Sequence, residues 1–362
     1  MNESEMKGRV AQAANVGALC PADHDWDVFA QLRSVKELQT KAGKPFLVLE
    51  LGDLSGTIEG KIWSNSAEAM AAAKAATPGS TLKLRGRVDE YQGKGQFVVD
   101  RLRVVAADEQ PEGYDPDQLV DPALALVEDL CCRTLVFDIE TVPAHDRREL
   151  PTSIAAALSE SATQKEMEPA ALMGMSPFLG KVVSLAVGDG DAEGGIDDVT
   201  VLAVPPPGFD ASSCPKWLRL MDEAELLRAF WALCSRAETV VSFNGRGFDV
   251  PFLAARSLIH GVPVRVDLMS QRFSLRPHLD LLEILGQKGR GPSKLDVICW
   301  ALGIESPKGE MDGSMVAPTY ERGDIVKIAE YNAHDVRATG AVYRRCRDLL
   351  LRYRSDWASA RK

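Results

Sequence analysis

A segment near the middle of the chain combines a strand-forming apolar run with two carboxylates. Residues 134–143 read Thr-Leu-Val-Phe-Asp-Ile-Glu-Thr-Val-Pro, a composition that predicts a central strand buried on both faces. Because strand side chains repeat with a period of two, Asp138 and Glu140 point the same way, roughly 6.5 to 7 Å apart along the strand. Two like charges on a buried face call for a cation, and hard oxygen ligands favour Mg²⁺ or Mn²⁺. For this pair alone, a solvated acidic strand end is the alternative.

The composition is that of a globular protein without a membrane segment. A length of 362 residues with 45% hydrophobic content permits two or more domains with ordinary cores. The sequence has no run of about 18 apolar residues, and its charged beginning lacks the apolar region of a signal peptide. Seven cysteines without a C-x-x-C pair argue against a disulfide framework or a zinc knuckle. We therefore expect a cytoplasmic protein with no membrane partner.

The N-terminal part predicts an all-β barrel. After residues 1–25, which we expect to be a flexible N-terminal segment, residues 26–107 contain five strand patterns with a helical pattern between the third and the fourth. This order is typical of the OB-fold, a small Greek-key barrel. Residues 28–106 hold twelve Lys/Arg and eight Asp/Glu, whereas the whole chain has a net charge of −10. The excess of basic residues is thus concentrated in the predicted barrel.

Single-strand binders combine such charges with aromatic faces on which bases stack. Phe46 and Phe97 alternate with polar residues as core positions do, so we assign both to the core. A pure protein-docking role for the barrel stays open, because OB barrels also bind proteins. The remaining candidates for contacts with nucleic acid are Trp63, Tyr91, Lys61, Arg85 and Arg87.

The second predicted domain, residues 131–362, follows an acidic, proline-bearing linker at 108–130. Residues 145–178 form an excursion that is expected to cap the site. Asp249 begins a helix after a strand and a glycine turn, at the edge where ligands collect in α/β sheets, although such an Asp is often only a helix cap. Tyr331 and Asp335 are four residues apart and share a helix face, as a surface hydrogen-bonded pair also would. His334 is rotated by about 100° from Asp335 and is the weaker candidate.

The order D-x-E, N-G-x-x-F-D and Y-x-x-x-D resembles the tyrosine branch of the DEDD superfamily of 3′-5′ exonucleases. Over about residues 133–349, the chain looks most like predicted exonucleases related to the proofreading domain of family B DNA polymerases. Residues 26–107 resemble OB modules fused to bacterial 3′-5′ exoribonucleases. The resemblance implies a two-domain protein: an OB-fold barrel, then an α/β ribonuclease-H-like exonuclease fold with a mixed central sheet.

The same resemblance implies the roles of individual residues. It makes Asp138, Glu140, Asp249 and Asp335 ligands of two divalent cations, Mg²⁺ or Mn²⁺, and Tyr331 the residue that orients the attacking water. The candidate contacts with nucleic acid in this domain are Asn244, Arg246, Phe248 and Lys308.

We therefore expect a metal-dependent 3′-5′ exonuclease acting on single-stranded DNA or RNA with a free 3′ end. DNA is favoured because the catalytic domain resembles DNA-processing enzymes. The alternatives are a 3′-5′ exoribonuclease and a noncatalytic nucleic-acid-binding or docking protein that kept the fold.

Overall fold

The computed structural model describes residues 10–91, 93–106, 108–119, 121–270, 275–286, 294–306 and 311–358. The chain divides into two compact units between Leu124 and Ala125. Each unit is built around a six-stranded sheet. Among the helices of the described residues, none has the length and hydropathy that a membrane span requires.

The N-terminal unit is an OB-like barrel, as predicted. Its strands follow the order β1-β2-β3-β4-β6-β5, and a further pairing of β2 with β5 closes the barrel. Helix α1 lies between the third and fourth strands of the predicted five, and a short helix, α2, follows the barrel. The elements are β1 (Val10–Gln12), β2 (Asp25–Gln39), β3 (Pro45–Gly52), β4 (Thr57–Trp63), α1 (Ala67–Ala75), β5 (Thr81–Tyr91), β6 (Lys94–Val104) and α2 (Pro116–Leu119).

The barrel core follows the period-two alternation of its strands. In β3, Leu47, Leu49 and Leu51 are all fully buried. Phe97 is fully buried as predicted. The core assignment of Phe46 is wrong: this residue precedes Leu47, so it points to the opposite face, where it is half-buried.

Part of the segment predicted to be flexible packs on the barrel. Strand β1 pairs in parallel with β2, and Val16, in the 3-10 turn Val16–Ala18, is buried. The backbone N–H of Val16 donates to the carboxylate of Asp53, and that of Gly17 donates to Ser55 Oγ at 2.7 Å. Two side-chain acceptors therefore hold this segment against the barrel.

The C-terminal unit contains a mixed sheet in the order β10-β9-β8-β7-β11-β12. The pairs β7–β8 and β8–β9 are antiparallel, whereas β9–β10, β7–β11 and β11–β12 are parallel. The strands are β7 (Thr134–Pro143), β8 (Gly180–Asp189), β9 (Val199–Ala203), β10 (Leu218–Leu220), β11 (Thr239–Ser242) and β12 (His278–Asp280). This is the mixed central sheet that the sequence predicted.

The helices of this unit flank the sheet. They are α3 (Thr152–Gln164), α4 (Pro169–Gly174), α5 (Glu223–Arg236), α6 (Asp249–His260), α7 (Leu281–Leu285), α8 (Leu295–Leu302), α9 (Val316–Glu321), α10 (Ile325–Leu349) and α11 (Ser355–Ala358). The predicted linker contributes the 3-10 turns Pro122–Leu126 and Glu128–Leu130.

Strand β7 occupies the centre of the sheet, between β8 and β11. Leu135, Val136 and Phe137 are at most 1% exposed, which matches the predicted burial on both faces. Helix α10 packs on β7 and β8 through a buried stripe. Because Ile328 and Val336 of this stripe are fully buried, the rotation of the helix is fixed relative to the sheet.

Candidate active site

Three carboxylates from two elements meet at the C-terminal half of β7. Asp138 and Glu140 of β7 and Asp335 of α10 each offer an oxygen, and these oxygens lie within 4.8 Å of one another. The period of two places the first two on one face of β7, and the buried stripe of α10 turns Asp335 toward that face. All three side chains keep part of their surface exposed.

The fourth predicted carboxylate, Asp249, lies beside this group but not within it. Asp249 is the first residue of α6 and is 4% exposed. The backbone N–H of Ile139 donates to its carboxylate, which ties the start of α6 to β7 between Asp138 and Glu140. The residue before the helix is Phe248, so the alternative prediction that Asp249 is merely a helix cap is wrong.

Burial and mutual repulsion raise the pKa values of these acids. Loss of hydration, followed by repulsion from Asp249, Asp335 and Glu140, raises the pKa of Asp138 well above its usual value. Burial, then Asp335 and Asp249, does the same for the pKa of Glu140. Burial also raises the pKa of Asp249 to about 7. Anionic carboxylates gathered in this way are stabilised by a cation, and a donor set made only of hard oxygens fits Mg²⁺ or Mn²⁺.

Tyr331 lies one helical turn before Asp335 and is half-buried. It forms a hydrogen bond with Asp335. Burial raises the pKa of Tyr331 far above its usual value, and the charges of Asp335, Glu140 and Asp138 add to this effect. The phenol therefore stays protonated and donates to Asp335, and the hydrogen-bonded pair that the spacing suggested is half-buried beside the other carboxylates. His334 is exposed.

A residue that the sequence analysis did not single out bonds to this group, and a second residue bonds to the first. Asn332 Nδ2 donates to Asp138 Oδ2 at 2.7 Å, and Ser184 Oγ donates to Asn332 Oδ1 at 2.8 Å. Both side chains are fully buried. The sequence signal for Asn332 is its place in the buried stripe of α10, where its neighbours Ile328, Ala333 and Val336 are apolar, since a polar residue there requires a partner.

Asp280 organises the loop between β11 and Asp249. Its carboxylate, which is 3% exposed, accepts from the backbone N–H of Asn244 at 2.9 Å, of Arg246 at 3.0 Å and of Leu282 at 2.9 Å. Asn244 has a left-handed backbone with φ of 63° and an exposed side chain, while Phe248 is half-buried. Asn244 and Phe248 thus lie on a loop whose backbone is held by the carboxylate of Asp280.

The predicted contact of Arg246 with nucleic acid is corrected by the structure. Its guanidinium donates to the carbonyl oxygens of Leu268 at 3.1 Å and His278 at 2.8 Å, and its Nε lies 3.2 Å from Glu283 Oε2. The side chain is 9% exposed. Arg246 therefore has a structural role, because it joins the loop to the segments that carry Leu268, His278 and Glu283. Lys308 lies outside the described residues.

In the barrel, three of the predicted contacts lie on the outer face of β4 or beside it. Trp63 stacks on Phe46 with ring centroids 5.0 Å apart, and Lys61 Nζ is 5.2 Å from the centre of the Tyr91 ring. Trp63 and Tyr91 are 36% and 59% exposed, so both rings present a free face to solvent.

The two predicted arginine contacts of the barrel are engaged in ion pairs. Arg85 makes a two-pronged pair with Asp27 at 2.6 and 2.7 Å, a geometry that uses its Nε–H and one of its terminal NH₂ groups. Arg87 lies 3.5 Å from Asp89, and its side chain is 58% exposed. Arg85 is therefore tied to Asp27 by one edge of its guanidinium while its side chain is 37% exposed, and both arginines remain predicted contacts.

Curated relatives cover parts of the chain. A 3′-5′ exoribonuclease, YhaM, of Geobacillus sp. (strain WCH70) is 36% identical over 78 residues, which are 22% of this chain and 23% of that protein. An uncharacterized protein of Methanocaldococcus jannaschii is 32% identical over 139 residues, which are 34% of this chain and 76% of that protein. The chain thus spans only about a quarter of the length of the exoribonuclease. Among solved structures, the family B DNA polymerase of Pyrobaculum calidifontis matches with a TM-score of 0.42 and 14% identity, covering 88% of this chain and 46% of the polymerase.

Two family models match the chain, one in each unit. Residues 27–105 match an OB-fold nucleic acid binding domain. Residues 181–355 match a predicted 3′-5′ exonuclease related to the exonuclease domain of PolB. The second match contains Asp249, Tyr331 and Asp335, and strand β7 brings Asp138 and Glu140 to the same place. The chain belongs to the family of predicted 3′-5′ exonucleases related to the exonuclease domain of PolB, and it carries an N-terminal OB-fold domain.

Proposed function

We propose that this protein is a metal-dependent 3′-5′ exonuclease that hydrolyses phosphodiester bonds at the 3′ end of single-stranded nucleic acid, with DNA preferred. The observation that carries the proposal is the convergence of Asp138, Glu140 and Asp335, whose oxygens lie within 4.8 Å of one another. Asp335 is distant along the chain from Asp138 and Glu140, so the cluster results from the fold and not from local composition.

The four carboxylates would hold two divalent cations. Asp138, Glu140 and Asp335 form the closest group, and Asp249 stands beside them through its bond to the N–H of Ile139. When bound, such cations would supply positive charge for activating the attacking water and for stabilising the leaving 3′ oxygen.

The tyrosine in this proposal orients the attacking water. Tyr331 is anchored by its hydrogen bond to Asp335, and its raised pKa keeps the O–H in place. Because the single O–H proton is donated to Asp335, the phenol oxygen can still accept from a water molecule beside the carboxylates, which is suited to orienting that water. The exposed Asn244 and the half-buried Phe248 stand on the loop that leads to Asp249, where they would contact the terminal nucleotide.

The barrel would deliver the strand. The free faces of Trp63 and Tyr91 are suited to stacking with bases, which is tolerant of sequence. Lys61 of β4 has its Nζ 5.2 Å from the centre of the Tyr91 ring and is paired with Glu59 at 3.3 Å; it would pair with phosphate instead when a strand is bound. The exposed Arg87 would add a phosphate contact of the same kind.

An exoribonuclease is the second candidate function. It is supported by the partial similarity to the Geobacillus 3′-5′ exoribonuclease. Discrimination between the two substrates would depend on contacts with the 2′-hydroxyl. End-labelled DNA and RNA of the same sequence, digested in parallel, would rank the two.

The decisive test compares wild-type protein with Asp138→Ala on end-labelled single strands, with Mg²⁺ or Mn²⁺ added. We expect the wild type to shorten its substrate from the 3′ end and Asp138→Ala to lose cleavage while it keeps strand binding, because the barrel is untouched. Asp198→Ala, which removes an exposed carboxylate from the turn before β9, is the matched control and should digest normally. Normal digestion by Asp138→Ala would refute the assignment of the carboxylates.

A further inference from the structure

A chain of buried hydrogen bonds links three elements behind the carboxylates. Ser184 of β8 donates to Asn332 of α10 at 2.8 Å, and Asn332 donates to Asp138 of β7 at 2.7 Å. Ser184 is also the register partner of Glu140 in the β7–β8 ladder. This series of hydrogen bonds therefore ends on the carboxylate of Asp138 and begins at Ser184, which lies opposite Glu140 in the sheet.

The chemistry of these groups fixes the direction of every bond in the chain. With a cation bound, the Asp138 carboxylate is ionised and only accepts, so the NH₂ side of the Asn332 amide must face it. Its oxygen then faces Ser184, whose hydroxyl must donate. Because both Asn332 and Ser184 are fully buried, water does not compete for these positions, and a flipped amide would leave two polar atoms unsatisfied.

We propose that Asn332 and Ser184 are positioning residues that fix the rotation of the Asp138 carboxylate and thereby set the affinity of the site for its divalent cation. The proposal rests on the proposed function. By holding Oδ2 of Asp138, Asn332 determines where the other oxygen of this carboxylate points. Ser184 acts one step further away, through the orientation of the amide.

Such outer contacts typically change metal affinity by about 10- to 100-fold when they are removed. We expect Asn332→Leu, which has a similar volume but no hydrogen bonds, to weaken Mn²⁺ binding by about that amount. Ser184→Ala leaves the amide in place but free to turn, so its effect should be smaller, about 3- to 10-fold by the same reasoning.

A second buried serine provides the control. Ser257 of α6 is also fully buried; it accepts from Trp231 Nε1 at 2.8 Å and donates to the carbonyl of Leu253 at 2.7 Å. Ser257→Ala therefore disturbs a comparable buried hydrogen-bond chain in the same unit, away from the carboxylates. It should lower stability while leaving Mn²⁺ affinity unchanged.

The experiment is calorimetric titration of the full-length wild type, Asn332→Leu, Ser184→Ala and Ser257→Ala with Mn²⁺, with circular dichroism to establish that each is folded. Digestion assays add a second measurement: the Mn²⁺ concentration for half-maximal rate should rise in the first two variants, while KM for the oligonucleotide at saturating Mn²⁺ should not. If Asn332→Leu does not fold, Ser184→Ala supplies the same test.

Two results would overturn this inference without affecting the proposed function. The first is a Mn²⁺ affinity equal to that of the wild type in folded Asn332→Leu or Ser184→Ala. The second is an equal loss of Mn²⁺ affinity in Ser257→Ala. In either case a wild type that binds Mn²⁺ and digests single strands keeps the proposed function intact. A wild type that neither binds Mn²⁺ nor digests single strands would remove both.

Discussion

His278, the first residue of β12, is expected to make the stability of the protein depend on pH. Its side chain is fully buried. The Nδ1 atom lies 2.9 Å from the carbonyl oxygen of Leu268, which only accepts, so this nitrogen carries the proton. Nε2 lies 2.7 Å from Ser242 Oγ and accepts the hydroxyl proton. The neutral ring therefore satisfies both partners, and burial lowers the pKa of His278 to about 4, with Arg246 adding to this effect.

The sign and size of the effect follow from the two pKa values. The unfolded chain binds a proton at this residue near pH 6.5, whereas the folded protein does so only near pH 4. Stability from this group is therefore complete above about pH 6.5 and is lost as the pH falls through the window down to about pH 4. The full loss is about 3 kcal/mol, and the part reached at about pH 5 is about 2 kcal/mol.

Urea unfolding at about pH 7.5 and about pH 5 measures this directly. His278→Gln keeps an uncharged donor and acceptor, so on acidification it should lose about 2 kcal/mol less of its free energy of unfolding than the wild type does. His145→Gln, which replaces an exposed histidine, should follow the wild type. Equal losses in the wild type and His278→Gln would refute the view that His278 is buried in its neutral form.

Three further predictions concern the loop, the barrel and the cations. Asp280→Ala leaves three backbone N–H groups without their acceptor and should lower the free energy of unfolding by about 2 to 4 kcal/mol in urea titrations, with Asp280→Asn between it and the wild type; an unchanged midpoint would contradict this. Trp63→Ala and Tyr91→Ala should each weaken single-strand binding by about 1 to 3 kcal/mol in fluorescence anisotropy, whereas Tyr353→Ala, an exposed tyrosine of the other unit, should not. Chelation of divalent cations should stop digestion and added Mn²⁺ should restore it, and cleavage that persists in chelator would argue against metal dependence.

The parts of the fold that depend on local pattern could be predicted from the sequence. The apolar run before Asp138 identified the central strand, and period two placed Glu140 beside it. The strand–helix–strand order of the barrel likewise follows from alternation and turn residues. Helix α5, with its capping box of Asp222 and Glu225, is another element whose start the sequence specifies.

The errors arose where long-range contacts decide the role of a residue. Arg246 follows a glycine turn near Asp249, which suggests a phosphate contact, but carbonyl groups from segments 22 and 32 residues away take up its donors. Arg85 reads as a free cation along β5, and it stays a predicted contact, but Asp27 of the neighbouring strand β2 accepts two of its hydrogen bonds. Sequence patterns predict which face of a strand or helix a side chain occupies, but they do not predict which residue it contacts there.

Asn332 shows that the sequence can indicate the need for a polar partner without identifying that partner. A buried amide without hydrogen bonds costs about 1 to 3 kcal/mol, so its position in the buried stripe of α10 requires a polar partner. Asp138, a carboxylate on a buried strand, requires a donor for the same reason. The two requirements satisfy each other across 194 residues of sequence, and only the packing of α10 on β7 reveals the match. The carboxylates that would hold the cation and the amide that orients one of them are therefore consequences of the same helix–sheet contact.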